Sequence, residues 1–392
     1  MSTLAAISLN TLAVLGSLAL IAFIMLEAFE TLLLPRRIER PLRLTGFFYR
    51  TLWFVWKRLS YVSSVSGRDN FLAIFGPFSL LLLLNCWALG LILAFAILQA
   101  GLHLPIHAPE AQPTFATYFY LSATTFITLG FGDVSPLTTA GRLIADLEAG
   151  LGFGFLAIVI GYLPVLYAAF SRREVEIALL DARASSPPSA GALLERIAVC
   201  PEAADLKEML QGYERWAAEV IESHLSYPVL MFYRSQHDRQ SWLSALTAIL
   251  DTCAFVLAKV PDGPQWQARM TFAMARHTAV DLALVFDTPP RSPDPDRLPP
   301  ERQERLSAML REAGLNVLRT PESDRRLQEL RFLYEPFVDS LSKSLLLPLP
   351  PWLPNRDLPD NWQTSAWDRG DHFFQVPAVG SAEVGLSPRA EV

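Results

Sequence analysis

Over its first 170 residues the chain is built of long apolar runs separated by short polar ones, and after that its character changes. Residues 4–26 are apolar almost throughout, loosening toward Leu34; residues 71–99 form a second run and 143–170 a third. About twenty apolar residues let a helix cross the hydrocarbon core of a bilayer, so each run is long enough to span. Between the second and third lies an aromatic stretch, 114–125, too short to cross, and then a segment in which glycines alternate with bulky residues, 124–133. Beyond Ser171 apolar residues recur at helical spacing among charges, which predicts the helices of a soluble domain: 193–224, 241–260, 265–286, 301–313 and 324–346, with 178–184 continuing the third span. A Ser/Pro linker at 185–190 and a Pro/Asp/Arg loop at 289–300 interrupt them.

The pattern predicts an all-α membrane protein with three transmembrane helices, one re-entrant helix too short to span (the pore helix of the resemblance given below) and an all-helical cytoplasmic C-terminal domain. Its parts are a first span (1–34), a basic cytoplasmic or interfacial segment (35–70), a pore module (71–170), the helical domain (171–347) and a Pro-rich tail (348–392) whose composition suits disorder. Asp251, in the middle of the 241–260 run, argues for a buried core helix over a fourth span.

Charge orients these parts. Arg36, Arg37, Arg40, Arg43, Arg50, Lys57, Arg58 and Arg68 face only Glu39 and Asp69, whereas no Lys or Arg occurs from Phe71 to Gly141. Positive loops stay inside, so the basic segment is expected in the cytoplasm, the pore loop and the N-terminus outside, and everything after Phe170 inside, in a multi-pass protein of the cell (inner) membrane. Arg172 and Arg173 agree with that. Phe47, Phe48, Tyr49, Trp53, Phe54, Trp56 and Tyr61, interleaved with the cations, predict a helix in the membrane interface; a plain cytoplasmic loop is the alternative. Glu27 and Glu30 are expected at the interface near the end of the first span.

Other chemistry changes little. A net charge of −6 gives no reason to expect nucleic acid, and the three cysteines, Cys86, Cys200 and Cys253, lack paired or metal-ligand spacing. His103 and His107 lie in the short loop 101–113, and His224, His237 and His277 are scattered; no metal site or cofactor is expected. Within the third span, Gly150, Gly152 and Gly154 allow close packing, and Pro164 would bend its inner end. Asp146 stands four residues after Arg142 and can pair with it. Glu148 lacks a local partner, and an ionisable group in a membrane helix is a functional candidate by default; a hydrogen bond to Thr124 or Thr125 is its structural alternative.

The segment 124–133 carries the chemistry. Glycine admits backbone conformations closed to other residues, so alternate glycines let successive carbonyls turn to one side. Four such segments around an axis would stack rings of carbonyl oxygens able to replace the water shell of a cation. Thr128, Leu129, Gly130, Phe131 and Gly132 are the expected ion-binding residues, with Thr124, Thr125 and Asp133 in support. One loop cannot make a ring, so four copies are required.

This segment resembles the potassium-channel pore signature, Thr-x-x-Thr-x-Gly-(Tyr/Phe)-Gly-Asp, matched by Thr125, Thr128, Gly130, Phe131, Gly132 and Asp133. The likeness continues through Pro136, Thr138, Gly141 and Arg142 to Gly152, where relatives carry a glycine hinge, and is confined to residues 71–170. Phe131 replaces the commoner Tyr. Thr124 sits where some relatives place a buried Glu, so filter inactivation through a carboxylate is not implied. The resemblance implies a homotetrameric channel passing K+ passively, without cofactor or enzymatic chemistry, with Glu148, Gly152 and Pro164 as gating candidates. Two other readings stay open: a weakly selective cation channel, and a membrane-anchored sensor or scaffold with a non-conducting pore fold. The helical domain belongs to no ligand-binding pattern, and its partner is not legible.

Overall fold

The structure, a computed structural model, describes residues 3–34, 44–62, 65–110, 112–199, 205–237 and 239–354. The first apolar run forms α1 (Thr3–Leu32), the basic segment α2 (Leu44–Ser60) and the second run α3 (Val65–Gly101). The aromatic stretch forms the short α4 (Phe115–Phe126), flanked by β1 (Ile106–His107) and β2 (Ser135–Pro136), which pair antiparallel. The third run begins where Thr138 Oγ1 accepts the Gly141 amide (3.2 Å), a side-chain cap. It continues as one helix, α5 (Thr139–Ala184), passing through Pro164 without ending and taking in 178–184 as expected.

The remainder is helical: α6 (Ala190–Val199), α7 (Leu206–Ser226), a 3-10 turn (Pro228–Phe232), α8 (Trp242–Lys259), α9 (Gln265–Val285), α10 (Pro300–Glu312), α11 (Pro321–Phe332) and α12 (Glu335–Leu345). Two expected helices prove to be pairs. The 193–224 run divides into α6 and α7, and the 324–346 run divides into α11 and α12 at Pro336. Proline has no amide hydrogen and is best accommodated in a helix's first turn, where Pro336 lies.

Among the described residues four helices, α1, α3, α5 and α8, are long and apolar enough to cross a membrane, but they differ in surroundings. Protein buries 94 % of the apolar window of α8 and 22 % of those of α1 and α5. Asp251, in the centre of α8, receives both ends of the Arg297 guanidinium (3.1 and 2.7 Å) and the Tyr334 hydroxyl, an arrangement suited to a protein core. Arg297 also donates to Glu335 (3.0 Å) and to the Pro350 carbonyl (2.9 Å), and Arg331 secures Glu335 from the other side (3.1 Å).

Three expectations from the sequence need correction. The tail is not uniformly loose: Trp352 is buried, its carbonyl accepts the Gly191 amide (2.9 Å), and its ring lies beneath Arg297 and Arg331. Residues 355–392 lie outside the described part. Glu27 does not sit at the surface but is buried, its Oε2 accepting the Thr45 amide (3.1 Å) and hydroxyl (2.9 Å), so α1 caps the start of α2. Arg173 is buried as well. It donates to the Leu230 and Tyr233 carbonyls (both 2.9 Å), to Glu174 and to His224, joining α5 to the 3-10 turn and α7.

The spans and the helical domain share one interior. Phe75 of α3 belongs to the same buried cluster as Leu180 of α5, Trp242 and Leu246 of α8 and Leu282 of α9. Trp53 of α2 lies 4.7 Å from the Phe75 ring and 5.0 Å from that of Phe232, and donates to the Ser344 carbonyl (3.0 Å).

His224 is neutral by construction. Arg173 offers only donors, so His224 Nε2 must accept (3.2 Å) while Nδ1 gives its proton to the Val220 carbonyl (2.7 Å). Burial, reinforced by the Arg173 charge, pushes its pKa down to about 3. The unfolded chain takes up this proton near pH 6.5 and the folded one does not, so this contribution to stability is complete above pH 6.5 and falls away between 6.5 and 3. Stability at pH 5 should be lower than at pH 7.5 by about 2 kcal/mol from this residue, and thermal unfolding of His224→Gln in detergent should lose that share of the slope.

The Asp251 cluster generates a second expectation. Arg297→Met leaves a carboxylate buried without its partner and should destabilise by about 3–5 kcal/mol. Combining it with Asp251→Leu removes the stranded charge and should recover most of the loss in chemical denaturation.

Candidate functional site

Helix α4 sets up the glycine segment. Its start is a capping box in which Thr114 and Thr117 satisfy each other's backbone amides. Tyr118 donates to the Leu104 carbonyl (2.8 Å), Phe119 packs against the cluster of Leu83, Trp87 and Leu166, and the Thr124 hydroxyl turns back to the Tyr120 carbonyl (3.0 Å). At its C-terminus the chain reverses tightly: the Thr125 carbonyl accepts Thr128 N (3.0 Å), and the Thr124 carbonyl accepts Leu129 N (2.8 Å) and Gly130 N (3.3 Å).

From there the backbone alternates. Thr128, Gly130 and Gly132 have φ of 57°, 55° and 81°, the left-handed region, at every second residue. A Cβ added at Gly130 or Gly132 would meet nothing within 4 Å, so these glycines are required by φ and not by crowding. Thr128 holds the same conformation although it is β-branched, a strain that survives only where surroundings over-determine it. The side chains of Ile127, Leu129 and Phe131 are more than half exposed in the single subunit.

The outer end is fixed by side chains and by the small sheet. Asp133 accepts the Tyr120 hydroxyl (3.0 Å), and Val134 is buried with Ile106 and Leu121. The β1–β2 pairing places Ile106 opposite Pro136, and the Pro105 carbonyl accepts Leu137 N (3.0 Å). Arg142 donates to the Pro136 carbonyl (3.4 Å), and among the described residues no ion pair joins it to Asp146. The two-residue strands carry too little pattern to be seen in sequence.

Behind this segment α5 meets α4 at two levels. Glu148 is fully buried; one oxygen lies against the Ser122 hydroxyl and the other accepts Gln99 Nε2 (3.1 Å). Ser122 Oγ also lies 2.7 Å from the Ile92 carbonyl, and with Gln99 on α3 the Glu148 contacts join α3, α4 and α5. Its partners are therefore Ser122 and Gln99, not Thr124 or Thr125, because α5 passes the middle of α4 there. One turn later, a Cβ on Gly152 would sit 1.9 Å from the Phe126 carbonyl oxygen. Gly152 is thus the place where the backbone of α5 touches the last residue of α4. Pro164 lies farther down α5, exposed between the buried Tyr162 and Leu166.

Gln99 and Ser122 were not singled out by sequence reading. The signal for Gln99 was its amide at the end of an otherwise apolar run; a serine in a short polar-aromatic helix carries none. Among the described residues no cluster of His, Cys, Asp and Glu could hold a metal ion. His103 is bonded to Asn10 of α1 (2.6 Å), and His277 lies 3.7 Å from Asp281.

Residues 81–167 match the family model described as an ion channel, a span running from the middle of α3 through α4 and the glycine segment to the lower half of α5. No curated protein and no solved structure matches the chain. The matched residues take in all the features built above: the capped short helix, the alternating backbone, and the Glu148 and Gly152 contacts. Residues 81–167 of this chain are an ion-channel domain of the pore-loop type.

Proposed function

We propose that the chain is one of four identical subunits of a potassium-selective channel, conducting K+ passively across the cell (inner) membrane. The observation that carries this is the left-handed backbone at 128, 130 and 132. Alternation of this kind turns successive carbonyls toward one side, and four copies around an axis would offer K+ the oxygen rings that replace its hydration shell. The carbonyls of Thr128, Leu129, Gly130, Phe131 and Gly132 line the path; Thr124, Thr125 and Asp133 hold it. The subunit alone leaves Leu143, Leu147, Phe153, Leu156 and Ile160 of α5 exposed, an apolar surface that three neighbours and lipid would cover.

In this reading α1, α3 and α5 span the membrane and α4 is re-entrant, with the N-terminus outside. The helical domain lies in the cytoplasm with α8 as its core helix. Gating follows from continuity: α5 runs unbroken into the domain, where Ile177, Leu180 and Ala184 are buried. A rearrangement of the domain moves α5, and α5 touches α4 at Glu148 and Gly152, next to the filter.

The test is flux into vesicles containing the purified full chain, with Na+ as competitor and Ba2+ as blocker. Gly130→Ala and Gly132→Ala should still yield folded subunits, because within one subunit a Cβ meets no atom there, yet lose K+ flux, because the left-handed conformation costs an L-residue about 1–2 kcal/mol at each of four copies. Gly152→Ala should instead fail to assemble. Selective flux surviving in both filter variants would overturn the assignment, and equal passage of Na+ by the wild type would make it a general cation channel.

Glu148 separates structure from gating. Glu148→Ala strands Ser122 and Gln99 in the interior and should destabilise the tetramer by about 1–3 kcal/mol. Glu148→Gln keeps the shape, so it should assemble, keep selectivity and shift open probability in single-channel recordings; recordings identical to wild type would leave Glu148 a structural role only.

A further inference from the structure

Helix α2 has three cations, Arg50, Lys57 and Arg58, and no acid. Its two faces are unlike. One is closed by protein: Tyr49, Leu52, Trp53 and Trp56 pack against the common core, and Lys57 is used up, its Nζ donating to the Lys343 carbonyl (2.7 Å) and the Ser344 carbonyl (3.3 Å) at the end of α12. The other carries Leu44, Phe47, Phe54 and Val55, with Phe47 68 % and Phe54 59 % exposed. On this face Arg58 lies over the Phe54 ring (5.1 Å), and Arg50 stands at its edge with only the exposed Asp287 nearby (3.9 Å).

Large aromatic side chains beside exposed guanidinium groups are a poor surface for water and a good one for the boundary between headgroups and acyl chains. The surface is also continuous with the first span. Glu27 ties the end of α1 to Thr45, and the last turns of α1 expose Leu26 and Phe29, with Leu33 exposed just beyond them. Planar guanidinium groups suit the oxygens of a phosphate diester, and the rings of Phe47 and Phe54 suit the chains attached to it.

We propose that α2 binds anionic phospholipid headgroups of the cytoplasmic leaflet through Arg50 and Arg58 and reports that leaflet's charge to the helical domain. The report passes through the opposite face of the same helix, where Trp53 and Lys57 hold the carbonyls of Lys343 and Ser344. A shift of α2 toward a charged surface therefore pulls on the end of α12 and, through the shared core, on α5. The effect on conduction rests on the channel reading above; the lipid binding does not.

Two measurements on the full chain in phosphatidylcholine vesicles with a rising share of phosphatidylglycerol keep these apart. In the first, spin-labelled analogues of the two lipids report which is held at the protein surface. Wild type should prefer phosphatidylglycerol, and each of Arg50→Gln and Arg58→Gln should lower that preference by about fivefold, the worth of one cation near an anionic surface. The Arg50→Lys, Arg58→Lys double variant should retain most of it. An unchanged preference in the double glutamine variant overturns the site. In the second, wild-type K+ flux should vary with the phosphatidylglycerol share and flux of the double glutamine variant should not. A variant that has lost the lipid preference yet tracks the lipid as wild type does overturns the coupling. Absence of flux in every lipid overturns the channel reading, with the headgroup site still decided by the spin labels.

Discussion

The arrangement depends on one buried cation, Arg173. It lies on α5 just beyond the apolar run, where a guanidinium taken out of water is tolerable only if its donors are all met. They are met by the carbonyls of Leu230 and Tyr233, by Glu174 and by a neutral His224. All but Glu174 come from the 3-10 turn, its following residue and α7, so the requirement to satisfy one side chain draws the helical domain against α5. The 3-10 turn then brings Phe232 to Trp53 and Phe75, and lays Tyr233 against Gly76 of α3, where a Cβ would come within 2.6 Å of the ring. Membrane helices and domain are thereby one packed body.

The same logic recurs behind the glycine segment with the charge reversed. Glu148 is a buried carboxylate whose two oxygens are taken by groups from two other helices, and Gly152 lets the α5 backbone reach the last carbonyl of α4. A polar contact that fixes orientation and a glycine that fixes distance lie one turn apart. Between Arg173 and Glu148, α5 is held at both ends by buried charges, and the apolar length between them, with Pro164, is free of such ties.

What was legible in the sequence follows from how locally each feature is encoded. The apolar runs, the short helix and the glycine alternation are properties of contiguous residues, and α1, α3, α4 and α5 appear where periodicity puts them. Asp251 pointed to protein around α8, because a single carboxylate in the middle of an apolar run demands a partner, and the apolar window of α8 is 94 % buried. The partners themselves were not legible: Arg297, Gln99, Ser122 and Thr45 reach their acids from far along the chain. The division of 324–346 was legible in Pro336 but masked by the helical spacing on either side of it. Trp352 was hidden in a composition that reads as disorder, since one buried indole does not alter a proline-rich average. Arg173 looked like an inner-leaflet charge because sequence counts cations without seeing which are buried.

The meeting of Gly191 and Trp352 has a consequence for how the protein is made. The helix that follows directly on the inner span is closed by a residue far later in the chain, so the domain cannot complete its core until the ribosome has released that late segment. The apolar runs leave the ribosome well before then, and domains emerging in order fold in order. The apolar helices can therefore enter the membrane while the helical domain is still open, and α5 is complete before the body that steadies it is finished.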